Sequence, residues 1–569
     1  MRLRHEEDEV SEEQKQPFVE QSQYQDEKDT PDIEFDTASS TRYGCIVAVS
    51  TGTILALLCL ISGIYFLRAN QTALGAAIDL STSGQEVLAL VINVVLALTT
   101  DGMMFAHSVS LRWALYREGR LEYNTNIRLL TGSNQFGPNA WYINLVAFAC
   151  LMLSYASSSV LLLSNQTIIQ PEDNKETPIL LNATALVALG IGLVVQAIIA
   201  GWSLVSSSKL IPTWSSNPLN TAAAVMHKGD LAHRPGRCML SVHQRKEPNE
   251  AVSPLSRQGN MFKVQRVVRY VLTLLWSLAA LAIAWPITIA MVSKSIADAS
   301  APGQAYDGPC WKPGFMWDQS SMACDRNYVT LSLSPRANNH NPNSATFSYG
   351  AEAVLCVLFV CLVQGGQTIA LHCLELLVNL SRDEGVWRQA YSETRQARGT
   401  QLATNPFRAA LMSWENIVLF IAKTLLHWII GQSLIPSVVI EESTDLDSIA
   451  DSIALSDPDD LDNLPWKRGF QFDMVYSRLI IYAVLAVLVA AFATYLAFKR
   501  SKGYQPAAMG HLQTLVDLID DWKADQDGRM WWGDKTSGGD LGTGLARHAG
   551  TACDMTLLGP ICTARYAGS

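Results

Sequence analysis

Long apolar windows alternate with polar stretches along this chain, and each window is long enough to form a membrane-spanning helix. A helix rises about 1.5 Å per residue, so about 20 apolar residues cross the hydrocarbon core of a bilayer. Most charged residues lie between the windows. The pattern predicts eight spans, at residues 44–67, 88–110, 142–164, 181–205, 268–292, 350–376, 415–440 and 478–498.

The composition agrees with this pattern. Of the 569 residues, 49% are hydrophobic and only 17% are charged, whereas soluble proteins carry about 25% charged residues. The net charge of −10 offers no basic footprint for nucleic acid. We therefore expect an all-α integral membrane protein, a bundle of about eight transmembrane helices. We expect the protein to interact with the lipid bilayer and not with nucleic acid.

The spans divide the chain into four segments. Residues 1–43 hold 13 acidic and 5 basic residues, which predicts a disordered acidic tail. Residues 44–498 form the membrane domain, and residues 499–535 form a tail with an amphipathic helix predicted at 507–523. The apolar stripe and acidic face of that helix favour docking on the protein itself over binding to lipid. Residues 536–569 are predicted to be flexible.

The distribution of Lys and Arg predicts the orientation. The loops after spans 2, 4 and 6 carry more than twice as many of these residues as the loops after spans 1, 3, 5 and 7. Basic loops stay in the cytosol, so both termini are predicted to be cytosolic. The polar start of the chain differs from a cleavable signal peptide. We expect a multi-pass protein of the secretory pathway or the plasma membrane.

Glycosylation motifs and cysteines mark the opposite side of the membrane. Asn70, Asn165 and Asn182 begin Asn-x-Ser/Thr motifs in or beside the predicted lumenal loops, so they are candidate glycosylation sites. Cys310 and Cys324 share the lumenal loop after span 5. An oxidising compartment favours a disulfide between them. The alternative is two unpaired thiols beneath a folded loop.

Polar residues inside the spans are the candidate functional site, because a charge at mid-membrane costs about 2.5–3.5 kcal/mol. Asp101 lies about 15 Å from the cytosolic end of span 2, and Lys423 lies about 12 Å into span 7. Opposite charges at matched depth offset each other's desolvation when they meet, so we expect these two to face one another. His107, His372 and Glu375 are expected to complete a polar cavity open to the cytosol.

Other interpretations of this cluster remain open. Gly102 follows Asp101, so span 2 is able to break there and leave Asp101 near the interface. Lys423 is able to snorkel toward the headgroups. A buried ion pair can also serve only to fix the packing of helices, which leaves a structural and a functional hypothesis side by side.

Motifs of known enzymes and cofactor sites are missing from the sequence. It contains no phosphate-binding GxxxxGK[ST] loop, no HExxH and no GxSxG, so no catalytic residue or cofactor is assigned. The spacing of His227, His233, Cys238 and His243 matches no zinc finger, so no metal site is assigned. An enzyme is therefore the least favoured class.

Several stretches of the sequence resemble uncharacterised multi-pass membrane proteins of filamentous fungi. The stretches are Leu111–Leu115 with Arg117–Leu121, Ser216–Asn220, Arg234–Cys238, and His511–Leu515 followed by Trp531–Asp534. The resemblance implies a fungal integral membrane protein. It implies no activity and transfers no functional residue to this chain.

Two main functional hypotheses follow from the sequence. The first is a non-enzymatic membrane scaffold or sensor-like protein, and the second is a secondary transporter that uses the polar cluster of spans 2, 6 and 7. A membrane-embedded enzyme ranks third. A water-accessible cavity that reaches mid-membrane between these spans would favour transport, whereas a filled bundle would favour the scaffold.

Overall fold

The computed structural model describes residues 33–69, 74–78, 82–127, 129–167, 179–244, 250–300, 328–332, 349–392, 397–403, 413–441, 467–536 and 546–567. The described helices are, in chain order, α1 (Ser39–Ala69), α2 (Thr82–Arg117), α3 (Trp141–Ser159), α4 (Ala183–Ser207), α5 (Pro218–His227), α6 (Met261–Val264), α7 (Arg266–Ser300), α8 (Tyr349–Arg388), α9 (Trp414–Ser433), α10 (Tyr476–Phe498) and α11 (Leu512–Leu518). The described strands are β1 (Leu74–Ile78), β2 (Leu162–Thr167), β3 (Ile179–Asn182), β4 (Tyr328–Ser332), β5 (Thr400–Gln401), β6 (Leu434–Glu441), β7 (Lys467–Val475), β8 (Arg529–Asp534) and β9 (Ala549–Ala552).

Seven of the described helices are long and apolar enough to cross a membrane, which makes the chain a multi-pass integral membrane protein. They are α1, α2, α3, α4, α7, α8 and α10. Helix α9 corresponds to the remaining predicted span. Its 20 residues give about 30 Å of helix, the thickness of the hydrocarbon core, and they include the charged residues Glu415 and Lys423.

Two predicted spans end earlier than the sequence pattern indicates. The span predicted at 142–164 is helical only to Ser159, and the span predicted at 415–440 is helical only to Ser433. Both apolar runs continue as strands, β2 and β6. Pro436 cannot continue a helix, and the β-branched residues that follow it favour a strand. Hydrophobicity alone does not distinguish the two structures in a short apolar run.

A six-stranded sheet joins one end of the helix bundle. Its strand order is β1-β3-β2-β6-β7-β4, with β2 and β6 parallel and the other pairs antiparallel. Each strand comes from the connection that follows helix α1, α3, α7 or α9. The sheet thus gathers all four of these connections at the same end of the bundle, which we call the sheet end.

The opposite end of the bundle is covered by a cap, formed by residues 33–38, 208–264, 397–403 and 499–567 where they are described. A buried core in this cap contains Trp113, Trp214, Trp387, Trp532 and Tyr566. Strands β5, β8 and β9 form a three-stranded sheet within it. The same core contains Ala38 and Tyr566, so the N-terminal segment from residue 33 and the C-terminal tail lie at the same end.

The C-terminal tail is more ordered than its composition predicts. The predicted helix 507–523 is reduced to α11, because Met509 and Gly510 have positive φ angles of 47° and 70° that stop the helix from extending toward its N-terminus. Its apolar residues Leu512, Leu515 and Val516 are nevertheless buried against the cap, so the protein covers this stripe itself.

The predicted boundaries of the two tails also change. Within residues 536–569, β9 pairs with β8, and Tyr566 is buried with its hydroxyl donating to Asp534 Oδ2 at 2.8 Å. This segment is therefore partly packed, where we expected a flexible tail. At the other terminus α1 begins at Ser39, ahead of the predicted boundary at residue 43. Residues 1–32 of the expected disordered tail lie outside the described residues.

Candidate functional site

Lys423 joins two carboxylates inside the helix bundle. Its Nζ donates to Asp101 Oδ1 at 2.8 Å and to Asp101 Oδ2 at 3.0 Å. The same ammonium donates to Glu375 Oε1 at 2.5 Å. The contact between Lys423 and Asp101 is the one that their matched depths predict, and Glu375 adds a second carboxylate to it.

Three helices build this site. Asp101 lies on α2, Glu375 on α8 and Lys423 on α9, and α9 packs against both other helices. His372 precedes Glu375 by three residues and therefore shares its helix face. The Nδ1 of His372 lies 2.8 Å from Glu375 Oε1, the oxygen that also receives Lys423. We call Asp101, His372, Glu375 and Lys423 the charge cluster.

The charge cluster is buried on one side and partly open on the other. The exposed fraction of the side chain is 1% for His372 and 3% for Lys423, but 19% for Glu375 and 32% for Asp101. Two carboxylates and one ammonium leave a formal charge of −1 when the imidazole is neutral. One added proton would make the cluster neutral, and an imidazole such as that of His372 is a side chain able to carry it.

A second layer of polar residues lies beside the cluster. His427, one helical turn after Lys423, stacks on Tyr155 with ring centroids 3.8 Å apart, and its Nδ1 lies 3.1 Å from Gln364 Oε1. Both His372 and Lys423 are close enough for their charges to act on His427. The side-chain amide of Gln364 in turn donates to Ser159 Oγ at 2.7 Å.

This row of polar residues ends at a small cavity near the sheet end. Asn93, Ser159, Trp428 and Gln432 are among its lining residues, and its volume is about 20 Å³. A space of this size holds about one water molecule. Polar side chains thus lead from the partly exposed Asp101 through the bundle to this cavity, which is too small for an organic substrate.

Three cluster residues have the chemistry to hold a metal ion. The ligand atoms of Asp101, His372 and Glu375 lie within 4.8 Å of one another. The ammonium of Lys423 already contacts both carboxylates, so the chain supplies its own cation at this position. The arrangement is therefore better suited to a proton than to a resident metal.

His107 does not join the charge cluster, contrary to the sequence prediction. Its Nε2 lies 3.0 Å from the carbonyl oxygen of Pro138. Six residues after Asp101 correspond to about 9 Å along α2 and about 120° around it. The prediction used depth alone, whereas the direction around the helix axis decides which groups meet.

A second buried ion pair was not predicted from the sequence. Arg478 Nη2 donates to Glu86 Oε1 at 2.6 Å, and Arg478 Nη1 donates to the carbonyl oxygen of Gln432 at 3.0 Å. Both charged side chains are buried. Glu86 lies two residues before the predicted start of span 2, and Arg478 is the first residue of the last span, so both resembled interfacial residues. The sequence feature that could have predicted the pair is the presence of opposite charges at the same predicted end of the bundle.

The predicted modification sites lie at the sheet end or outside the described residues. Asn165 is in β2, whereas Asn182 is fully buried and its side chain accepts a hydrogen bond from the Ala185 N–H at the start of α4. A glycan on Asn182 would have to displace that helix start. Asn70, Cys310 and Cys324 lie outside the described residues, and the predicted disulfide stays a prediction. The nine cysteines within the described residues are free thiols.

Comparison of the chain with known protein families, with curated proteins and with solved structures found no match. The resemblance to fungal membrane proteins therefore stays a prediction.

Proposed function

We propose that the protein is an eight-span membrane protein with both termini in the cytosol, in the secretory pathway or the plasma membrane. The course of α9 supports eight spans. The chain before α9 includes β5, which pairs with β8 in the cap, and the chain after it forms β6 in the six-stranded sheet. The basic connections lie at the cap end, which supports a cytosolic cap.

We further propose that the protein is a proton-responsive, sensor-like membrane protein rather than a carrier of an organic substrate. The observation that carries this proposal is the shared oxygen of Glu375, which contacts both Lys423 at 2.5 Å and His372 at 2.8 Å. Ionisable groups at this depth are costly and usually functional. A proton is the ligand that changes the charge of the cluster without needing a cavity.

Helix α8 offers a route from the charge cluster to the cap. Glu384 lies nine residues after Glu375, which is about 14 Å along the helix. Its Oε2 accepts hydrogen bonds from the backbone N–H groups of Ala508 and Met509 at 3.0 and 2.9 Å. A shift of α8 that follows protonation would therefore change how the C-terminal tail is held.

A secondary transporter is the second candidate. The row of polar residues from Lys423 through His427 and Gln364 to Ser159 supports it, because this row links the cluster to the cavity near the sheet end. A protein that passed a proton along this row would show flux across the membrane. A sensor would change its structure without flux.

Hydrogen–deuterium exchange of the full-length protein in proteoliposomes tests the proposed function. Between about pH 5.5 and 7.5, the range in which histidine titrates, we expect a change in exchange within α8, α9 and the cap after correction for the intrinsic pH effect. His372→Gln should abolish the change. His107→Gln is the matched control, because it removes a buried histidine outside the cluster, and it should preserve the change.

An entrapped pH-sensitive dye in the same vesicles distinguishes the two candidates. Absence of proton flux together with the exchange change supports the sensor. Flux that His372→Gln removes supports the transporter. Exchange that is independent of pH in the wild-type protein would overturn the sensor, and absence of flux would overturn the transporter.

A further inference from the structure

Two segments beside the ends of α7 and α10 form a basic surface at the cap end of the bundle. Residues 255–270 contain four Lys or Arg, residues 495–503 contain three, and neither segment contains Asp or Glu. All of these basic side chains are exposed. We call them the basic platform: Arg257, Lys263, Arg266, Arg269, Lys499, Arg500 and Lys502.

The fold brings the two segments together. Arg257 and Lys502 lie opposite one another in an antiparallel backbone bridge, and the ring of Phe262 stacks on that of Phe498 with centroids 4.7 Å apart. The guanidinium of Arg269 lies over the same Phe262 ring, 5.2 Å from its centroid. The positive charges of both segments therefore share one surface, although more than 200 residues of sequence separate them.

The protein neutralises little of this charge itself. Within the part of the chain that the structure describes, Lys499 is the one platform residue within ion-pair distance of a carboxylate, at 3.8 Å from Glu415. Like charges that share a surface repel one another and disfavour the compact state. Binding of an anion to the basic platform would relieve this repulsion.

The basic platform borders the surface that faces lipid. Helix α7 begins at Arg266 and α10 ends at Phe498, and both helices are long and apolar enough to cross a membrane. About one turn into these helices, Tyr270 is 73% exposed and Tyr495 is 55% exposed. Exposed aromatic side chains near the ends of spans lie at the level of the lipid headgroups. The cations of the basic platform are therefore placed beside the phosphates of the bilayer.

We propose that the basic platform binds a phospholipid whose headgroup is a phosphorylated inositol. Because the cations come from two segments that meet, a headgroup with several negative charges contacts more of them at once than a headgroup with a single net charge. Four of the seven cations are arginines, whose forked guanidinium binds phosphate through two parallel hydrogen bonds. Clusters of four to eight Lys or Arg beside a span are typical of sites for such lipids.

The site is separate from the charge cluster and does not depend on the proposed proton response. It rests on the proposed cytosolic cap only for its supply of lipid, because anionic inositol lipids lie in the cytoplasmic leaflet. Binding in detergent solution does not depend on orientation in a membrane. A failure to bind there would therefore count against the site, whereas a lumenal cap would count against the proposed orientation.

Native mass spectrometry of the full-length protein in detergent tests the site, because each bound lipid adds its own mass. Phosphatidylinositol bisphosphate and phosphatidylserine are titrated separately, and the apparent Kd is obtained for each. We expect the inositol lipid to bind about tenfold or more tightly than phosphatidylserine, since each further cation that is contacted contributes about a factor of five, or about 1 kcal/mol. Soluble inositol trisphosphate should bind more weakly than the lipid, because it lacks the acyl chains that contact α7 and α10.

A variant that removes three platform cations should weaken binding of the inositol lipid about 100-fold by the same estimate. It combines Arg257→Gln, Arg266→Gln and Lys502→Gln. These side chains are exposed, so the thermal unfolding midpoint should stay close to that of the wild type.

The matched control removes the same number of charges elsewhere at the cap end. It combines Arg42→Gln, Arg117→Gln and Lys209→Gln, which are exposed residues at the cap ends of α1, α2 and α4. We expect this variant to bind the inositol lipid within about fivefold of the wild type, the effect of one surface cation.

Any of four results would overturn the proposal. The platform variant binds the inositol lipid as tightly as the wild type, or the control variant loses as much affinity, which would indicate only the diffuse positive field of the cap. Phosphatidylserine or soluble inositol trisphosphate binds as tightly as the inositol lipid, which would remove the recognition of the headgroup or of the lipid. An acidic peptide binds to the basic platform while the lipid does not, which would assign this surface to a protein partner.

Discussion

Lys423→Gln will destabilise the membrane domain severely. The substitution leaves the carboxylates of Asp101 and Glu375 without the ammonium that contacts both at 2.5–3.0 Å. Removing one partner of a buried ion pair costs about 3–5 kcal/mol, because an uncompensated charge remains. We expect a large loss of monodisperse protein in size-exclusion chromatography and a lower thermal unfolding midpoint in detergent.

Adding Asp101→Asn to Lys423→Gln should recover part of this loss. The remaining carboxylate, Glu375, still has His372 as a neighbour that can take up a proton. Lys499→Gln is the control, because Lys499 is exposed and lies 3.8 Å from Glu415; an exposed pair contributes about 0–1 kcal/mol. If Lys423→Gln behaves like Lys499→Gln, or if the double variant is no more stable than the single one, the cluster does not act as a coupled unit.

Arg478→Met will have an effect of similar size at the sheet end. The substitution leaves the buried carboxylate of Glu86 without the guanidinium that donates to it at 2.6 Å. The same estimate of about 3–5 kcal/mol applies. Because Arg478 also donates to the carbonyl of Gln432 at 3.0 Å, the end of α9 should loosen together with the start of α10. Thermal unfolding of the purified variant measures the loss, and exchange of peptides from these helix ends locates it.

Glu86→Gln combined with Arg478→Met should recover much of the stability, since a neutral pair of similar size often replaces a buried ion pair at little cost. Arg42→Met is the matched control, because the exposed Arg42 donates a long 3.3 Å hydrogen bond to Ser208. A loss in Arg478→Met no larger than in Arg42→Met would contradict a role of this pair in holding α2 and α10 together.

Hydrophobic patterning predicts the helices of this protein well and their ends less well. Each predicted span overlaps a long helix, because only a helix satisfies the backbone hydrogen bonds of an apolar segment in lipid. The sequence pattern predicts helix over the first three residues of β2 and over nearly all of β6, since the apolar run continues beyond the helix end. The six-stranded sheet depends on pairing between distant segments, such as Ser164 with Ser437, which no local pattern contains.

In the candidate site, the sequence predicts the depth of a residue in the membrane but not the direction in which its side chain points around the helix axis. Depth along a helix follows from counting residues, and it brings Asp101 and Lys423 to one level. Direction around the helix follows from packing, and it removes His107 from the cluster and brings Glu375 into contact with Lys423. The contact between His548 and Asp520 joins two segments of the C-terminal tail, and His548 lies in the part of the tail that the sequence predicts to be flexible.

The central claim is that the charge cluster takes up a proton, and infrared difference spectroscopy tests it most directly. Spectra of the reconstituted protein are compared between about pH 5 and pH 8, on both sides of the histidine range, for the wild type, His372→Gln, Glu375→Gln and His107→Gln. We predict imidazole and carboxyl difference bands in the wild type that persist in His107→Gln and that both cluster variants remove. Identical spectra in all four proteins would show that the cluster is a fixed ion pair, and the proton-responsive function would be wrong.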